Sequence, residues 1–254
     1  MLIDPKAAEV RRVAQLAKKD ARSETGLFLL EGVQGLREIE PSLVKALYAT
    51  EECVEKYSDL FTGLSYVLVS DRVLEAMCDT KTPQGVVAVC KQFDVSLSSV
   101  IASGPRLVAV LSQVRDPGNA GTVLRAADAA GADAVIFSSS SVDVYNPKTV
   151  RSTAGSLFHV PFVVDVDVLD AISSLQAAGI QVFAADGGGD SILDVSLDAP
   201  TAWVFGNEAW GFESDVLAAV DRVVGLPIYG EAESLNLATA ASVCLYESAF
   251  AQRK

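Results

Sequence analysis

Three short segments in the second half of the chain hold the side chains best suited to chemistry. The first runs Asp116-Pro117-Gly118-Asn119 and continues through Ala120-Gly121-Thr122-Val123-Leu124 to Arg125. The second is Gly206-Asn207-Glu208-Ala209-Trp210-Gly211, and the third leads from Leu226-Pro227-Ile228 to Glu233-Ser234-Leu235-Asn236. Together they offer amide, hydroxyl, carboxylate and guanidinium groups. Such a set can hydrogen-bond a sugar, stabilise a developing oxyanion and align two reactants, but it contains no thiol or imidazole. The one histidine, His159, lies in an apolar stretch and reads as packed. Its solitude counts against a serine-hydrolase triad and a histidine-based metal centre, so no metal is expected.

Each segment also has a conformational reading. Pro117 presets one dihedral, Gly118 permits a positive one, and Asn119 can cap a following helix that carries Arg125 in its second turn. Gly131 should stop that helix, and Ala126, Ala127, Ala129 and Ala130 give it a slim face that another backbone could approach. Gly206 ends a strand and carries Asn207, Glu208 and Trp210 onto a loop at the carboxyl end of a sheet, where open α/β sheets bind ligands. Trp210 and Phe212 can equally serve to fix that loop. Pro227 ends another strand, and Ser234 or Asn236 caps a closing helix. In that helix Leu237, Ala238, Ala241, Val243, Leu245 and Phe250 leave little polar face, so it reads as buried.

In order and spacing the three segments resemble the motifs of the SpoU/TrmH family within the SPOUT superfamily. These are S-adenosyl-L-methionine-dependent RNA ribose 2′-O-methyltransferases whose C-terminal domain is a deep trefoil knot. The resemblance implies a reaction centre at Asn119 and Arg125, with Ser234 and Asn236 serving the reacting ribose; Glu208 could orient other site groups or favour the cationic sulfonium. It implies that the backbones of Gly206, Leu226 and Leu235, with Asn207 and Ile228 beside them, hold the cofactor. It also implies a homodimer paired through the knotted domain. The family usually has Gly where Ala209 stands, a change that would stiffen the loop. Asn146-Pro147-Lys148 and Arg151 to Ser156 resemble a further family segment, completed by Leu157, Phe158 and Pro161; there Lys148 and Arg151, one helical turn apart, could grip RNA phosphate. The family gives its arginine a base-like role. A guanidinium stays protonated, so Arg125 is better placed to stabilise the developing oxyanion and hold an adjacent phosphate.

The elements that must position these residues are those of an α/β protein. Strands at Leu107 to Leu111, Ala134 to Phe137, Gln181 to Ala184, Ala202 to Phe205 and Arg222 to Leu226 alternate with helical stretches, and their unbroken apolar content suits a parallel sheet with helices on both faces. Gly187-Gly188-Gly189 reads as a flexible loop between them. Ahead lies a smaller α/β unit, with strands at Leu27 to Leu30, Ala46 to Ala49, Tyr66 to Val69 and Val86 to Val89 and helices near Gln34 to Ile39 and Asp71 to Met77. Asp4-Pro5 should open its first helix, burying Val10, Val13 and Ala17. Phe93 to Pro105, rich in serine, reads as the linker. The domains expected are thus 1–98, a small substrate-binding domain in the family's pattern, and 99–254, the methyltransferase domain.

A net charge of −13 over 254 residues argues against a nucleic-acid partner. The charge is unevenly spread. Before residue 98 there are 12 basic and 15 acidic residues, and after it 8 and 18. Within residues 11–22 Arg11, Arg12, Lys18, Lys19 and Arg22 face Asp20 alone, and on one continuous helix Arg11, Lys18 and Arg22 would form a basic stripe for RNA. The early charges exclude a signal-peptide core, and no uncharged run is long enough for a membrane span, so a cytoplasmic location is expected. Cys53, Cys78, Cys90 and Cys244 lack Cys-x-x-Cys pairing and should pack as reduced apolar residues. The expected substrate is structured RNA, 23S ribosomal ahead of transfer RNA. Alternatives are a catalytically silent RNA-binding protein of the same fold and a dinucleotide enzyme; the missing glycine fingerprint after Leu111 disfavours the latter.

Overall fold

The computed structural model describes residues 1–253, which divide into two compact units. Unit 1 comprises residues 1–93 and 145–159; unit 2 comprises 94–144 and the chain from 160 onward. A single cut near residue 98 therefore misses an excursion: fifteen residues between two strands of unit 2 belong to the body of unit 1.

Unit 1 contains, in order, α1 (Ala8–Gln15), α2 (Lys19–Thr25), β1 (Leu27–Glu31), α3 (Val33–Glu38), β2 (Val44–Ala49), α4 (Glu51–Lys56), β3 (Val67–Leu68), α5 (Asp71–Met77) and β4 (Val86–Lys91). Its strands form one mixed sheet in the order β1-β4-β2-β3. Val10 and Val13 of α1 pack with Leu29, Tyr48, Val73, Leu74 and Met77 in its core, where a fully buried side chain of this kind contributes about 1.5–3 kcal/mol. Asp4 does not start α1. Its Oδ1 accepts from Lys6 N at 2.9 Å to close a separate turn, and Ala17 is only half-buried.

The chain continues through α6 (Leu97–Ala102), β5 (Leu107–Leu111), α7 (Pro117–Ala130), β6 (Ala134–Ser138), α8 (Pro147–Ser152), β7 (Phe162–Val166), α9 (Val168–Ala177), β8 (Gln181–Ser191), β9 (Thr201–Phe205), α10 (Ser214–Ala219), β10 (Arg222–Gly225) and α11 (Leu237–Gln252). Of these α8 belongs to unit 1. The strands of unit 2 form a six-stranded sheet in the order β10-β8-β9-β5-β6-β7, every pair parallel. All residues of β5, β6 and β9 are buried, as strands covered on both faces must be.

Three segments depart from the sequence reading. The serine-rich linker contains α6, whose Ser96 accepts from Ser99 N at 3.1 Å as an N-cap and whose Val100 lies in the unit 2 core. Serine at a cap and serine in a linker look alike in composition. Gly187 to Gly189 lie within β8, where the register with β10 jumps from Ala184 to Asp190; a Cβ on Gly189 would collide with the backbone of Val223. β7 was not anticipated, because Asp165, at φ 57°, interrupts its apolar run.

Candidate functional site

β5 and β9 are neighbours in the middle of the sheet. From β5 the chain proceeds outward through β6 and β7 on one side, while β8 and β10 lie on the other. Their carboxyl ends mark the topological switch point, where open parallel sheets bind ligands. The first polar segment follows β5, the second follows β9 and the third follows β10. A cavity of about 510 Å³ opens there.

Local chemistry brings the side chains of this site together. Asp116, not Asn119, caps α7: its Oδ1 accepts from Asn119 N at 2.8 Å, and Pro117 takes the first helical position. Gly118 has no positive φ. The cap by Asp116 releases the Asn119 amide, which donates from Nδ2 to Glu208 Oε1 at 2.7 Å. Asn236 caps α11 with Oδ1, accepting from Ala238 N at 2.9 Å and Thr239 N at 3.3 Å, and its Nδ2 donates to Asn119 Oδ1 at 3.1 Å. Three segments distant in sequence thus close one hydrogen-bonded chain.

The loop after β9 is a turn closed by two backbone hydrogen bonds. Asn207 N donates to Gly211 O and Gly211 N to Asn207 O, each at 2.9 Å. Asn207 is buried, its Oδ1 accepting from Ala209 N at 2.8 Å and its Nδ2 donating to Gln113 O at 2.8 Å. Gly206 is required by this closure, since a Cβ would stand 2.8 Å from Gly211 O. Gln113 holds φ 57°, a left-handed conformation uncommon for glutamine. Backbone strain of this kind collects at functional sites.

Of the sequence-predicted residues, Asn119, Gly206, Asn207, Glu208, Leu226, Ile228, Ser234, Leu235 and Asn236 all line the cavity. Arg125 does not. It is exposed on α7 beside Thr122 and Ala129 and lies outside the lining. Sequence reasoning missed Gln113, Asp186 and Gly187. The glycine run was the signal for the last two, because Gly187 brings bare backbone to the cavity wall next to Asp186.

Asp186, Glu208 and Glu233 supply three carboxylates to the lining, and no Lys, Arg or His joins them. Phe205, Leu226 and Leu237 supply apolar walls. A cation with an apolar or aromatic part fits that donor set, whereas a polyphosphate does not. Cys244 also lines the cavity, and burial pushes its thiol up to about 12. Among the described residues no cluster could hold a metal ion.

The expected RNA-binding residues fare differently. Arg11 and Lys18 are exposed, but on separate elements, because the helix breaks between α1 and α2. That break turns Arg22 inward: it is 2 % exposed and its Nη1 donates to Leu16 O at 2.8 Å. Arg22 is a core residue, and the three-residue stripe does not exist. On α8 Lys148 is exposed, while Arg151 is held by Glu31 and Asp79, each at 2.9 Å. Glu31 is buried and also accepts from Asp79 N and Thr80 N, so Arg151 neutralises a buried carboxylate within unit 1 and is not offered to phosphate. His159 is not packed among apolar groups; its Nε2 lies 3.2 Å from Glu38 Oε2 with the side chain 41 % exposed. Cys53, Cys90 and Cys244 are buried as expected and Cys78 is half-buried, all as free thiols.

Known proteins carry the same organisation. A model described as the SpoU rRNA Methylase family matches residues 106–246, and one described as MRM3-like substrate binding domain matches residues 7–88. The chain is 35 % identical over 244 residues to the 23S rRNA (guanosine(2553)-2′-O)-methyltransferase RlmP of Bacillus subtilis (strain 168), covering 95 % of this chain and 96 % of that protein. It is 31 % identical over 248 residues to a 23S rRNA (uridine(2479)-2′-O)-methyltransferase of Streptomyces viridochromogenes, covering 92 % and 86 %. The crystal structure of an AdoMet-bound rRNA methyltransferase from Sinorhizobium meliloti superimposes with a TM-score of 0.85 at 29 % identity, over 97 % of this chain and 96 % of that one. With the family model covering more than half of the chain and the polar network standing on its motifs, the protein belongs to the SpoU rRNA methylase family.

Proposed function

We propose that this protein methylates a ribose 2′-hydroxyl in RNA, with 23S ribosomal RNA as substrate and S-adenosyl-L-methionine as methyl donor. One observation carries the reading: the Asn236–Asn119–Glu208 chain borders an acidic, cation-free cavity at the switch point. The relatives named for 23S rRNA 2′-O-methylation support the substrate, and the AdoMet-bound neighbour supports the donor.

When bound, the cofactor supplies an activated methyl on a cationic sulfonium. The protein's own part is to hold that cation, orient the hydroxyl and manage its proton. Asp186, Glu208 and Glu233 favour positive charge in the cavity, and Gly206, Leu226 and Leu235 line it, where their backbone groups would fix an adenosyl moiety. Glu208 is held by Asn119, so its second oxygen is available to accept a hydrogen bond from a ribose hydroxyl. Ser234 and Asn236 stand at the same wall, ready to position the sugar. Arg125, outside the cavity, meets the substrate from the RNA side, where a guanidinium can bind a phosphate and stabilise the oxyanion as the methyl bond forms. By holding hydroxyl and methyl donor side by side, these residues would lower the entropic part of the barrier.

We assign substrate recognition to unit 1, residues 1–93 and 145–159, and methyl transfer to unit 2. Following the family, we infer a knotted unit 2, a homodimer and a cytoplasmic site of action. The test is to incubate the protein with tritiated S-adenosyl-L-methionine and a 23S rRNA transcript made in vitro, which carries no modification, then digest the RNA to nucleosides. Label in a 2′-O-methylnucleoside is expected. Label in a base-methylated nucleoside, or none in the transcript, refutes the reading.

A further inference from the structure

The two tryptophans of the chain have opposite fates. Trp203 is fully buried and donates from Nε1 to Ser248 Oγ at 2.8 Å. Trp210 is 53 % exposed. An indole held half in water presents a large flat face together with a polar edge, which suits it to stacking against a partner. Trp210 is fixed. It sits in the turn closed by the Asn207 and Gly211 backbones, the Arg115 guanidinium lies 5.0 Å from its ring centroid, and its Nε1 reaches Gln113 Oε1 at 3.4 Å. The strained Gln113 that aims the indole also receives the Asn207 amide, so ring and catalytic loop are set by one residue. Trp210 lies outside the cavity lining, two positions from Glu208, which is inside it.

Resting on the methyltransferase reading above, we propose that Trp210, backed by Arg115, is a stacking platform for a nucleobase of the RNA strand being methylated. Sequence-specific RNA recognition targets nucleotides of loops and bulges whose unstacked bases are splayed out, and a surface aromatic replaces the stacking they have lost. Indole stacking is tolerant of base identity, because every base has a π-face. Arg115 covers one face of the ring by cation–π contact and brings positive charge to the strand's phosphates. The platform therefore holds the nucleotide by its base while the Asn119–Glu208 pair addresses its sugar.

Trp210→Ala and Trp210→Phe are compared with the unaltered protein on the 23S rRNA transcript. Trp210→Ala should lower kcat/KM for RNA ten- to a hundredfold, mainly through KM, with the Kd of S-adenosyl-L-methionine unchanged; Trp210→Phe should stay within about threefold. RNA should quench tryptophan emission in the unaltered protein and leave it unmoved in Trp210→Phe, where only the buried Trp203 remains. An alanine variant within twofold of the unaltered enzyme, or one losing cofactor affinity in parallel, overturns the platform. If the unaltered protein puts no label into ribose, the methyltransferase reading itself fails, and the two failures are told apart.

Discussion

Asn236 donates to Asn119 at 3.1 Å across 117 residues of sequence, and the direction of that bond is dictated by a helix cap. The Oδ1 of Asn236 is occupied by Ala238 N and Thr239 N, so only its Nδ2 can face Asn119. Asn119 must then present Oδ1 to Asn236 and Nδ2 to Glu208. The N-terminus of α11 thereby fixes the orientation of a carboxylate at the cavity wall.

Replacing Asn236 with Asp separates the cap from the relay. Asp is as good a cap as Asn and suits the helix dipole, so thermal stability should hold. It has no donor for Asn119, whose amide must flip and turn its oxygen on Glu208. Asn236→Asp should cut kcat about 10- to 100-fold, in line with roughly 1.5–3 kcal/mol for a hydrogen bond to a charged group. Unchanged turnover with unchanged melting temperature would show the chain to be idle.

Arg125→Ala should abolish most methyl transfer, about 100- to 1000-fold as for removal of an oxyanion donor, and leave cofactor affinity intact. Its exposed position outside the cavity requires that split. Isothermal titration with S-adenosyl-L-methionine checks it; equal losses in binding and turnover would place Arg125 in the cofactor site and remove its proposed role.

The sequence disclosed the parallel sheet and the site segments because both are written in local chemistry. A short, β-branched apolar run such as Leu107–Leu111 suits a doubly covered strand, and Gly206 is demanded by a close backbone approach in a turn. What stayed hidden depends on choices between equivalent local partners. Asp116 and Asn119 can each cap α7, and only the position of Glu208 rewards one outcome. Arg22 looked solvated because helical periodicity assumes an unbroken helix, and the extended Lys18 breaks it. Arg151 looked like a phosphate ligand until Glu31, 120 residues away, took its guanidinium.

Substitutions at the N-terminus should therefore divide into two kinds. Arg11→Glu with Lys18→Glu should weaken RNA binding and reduce the salt slope by about 0.7–0.9 per lost phosphate contact. Arg22→Ala should instead destabilise the fold by about 2–3 kcal/mol, since it strips a hydrogen bond and volume from a buried position. Filter binding at several salt concentrations and urea unfolding separate the two. A stable Arg22→Ala protein with impaired RNA binding would restore the original stripe.

α11 is not wholly buried, contrary to its composition. Val243 is 39 %, Tyr246 37 % and Phe250 59 % exposed along one face, while Ala241, Cys244 and Leu245 pack inward. An apolar stripe of this kind suits a symmetric contact between two copies. The protein should sediment as a dimer at micromolar concentration, and Phe250→Glu should shift it to monomer. A monomeric unaltered protein that still methylates RNA would dismiss the pairing.

The three carboxylates of the cavity make a final prediction about charge. S-adenosyl-L-methionine and its product differ by one positive charge, carried on sulfur, so a wall bearing Asp186, Glu208 and Glu233 without any basic residue should distinguish them. The substrate should bind more tightly than S-adenosylhomocysteine, and loss of the methyl should itself loosen the product. Asp186 isolates the effect, because its Oδ1 accepts from Gly188 N at 2.9 Å and Asn can keep that bond. Asp186→Asn therefore preserves the turn while removing the charge and turning the second oxygen into a donor. At a separation of several ångström and an effective dielectric near 20, one charge is worth on the order of 1–2 kcal/mol before screening. Asp186→Asn should weaken S-adenosyl-L-methionine binding about five- to tenfold while changing S-adenosylhomocysteine binding by less than twofold, narrowing the ratio between them. Equal weakening of both ligands would mean that Asp186 acts through shape or hydrogen bonding common to the two, and that the acidic wall does not read the sulfonium.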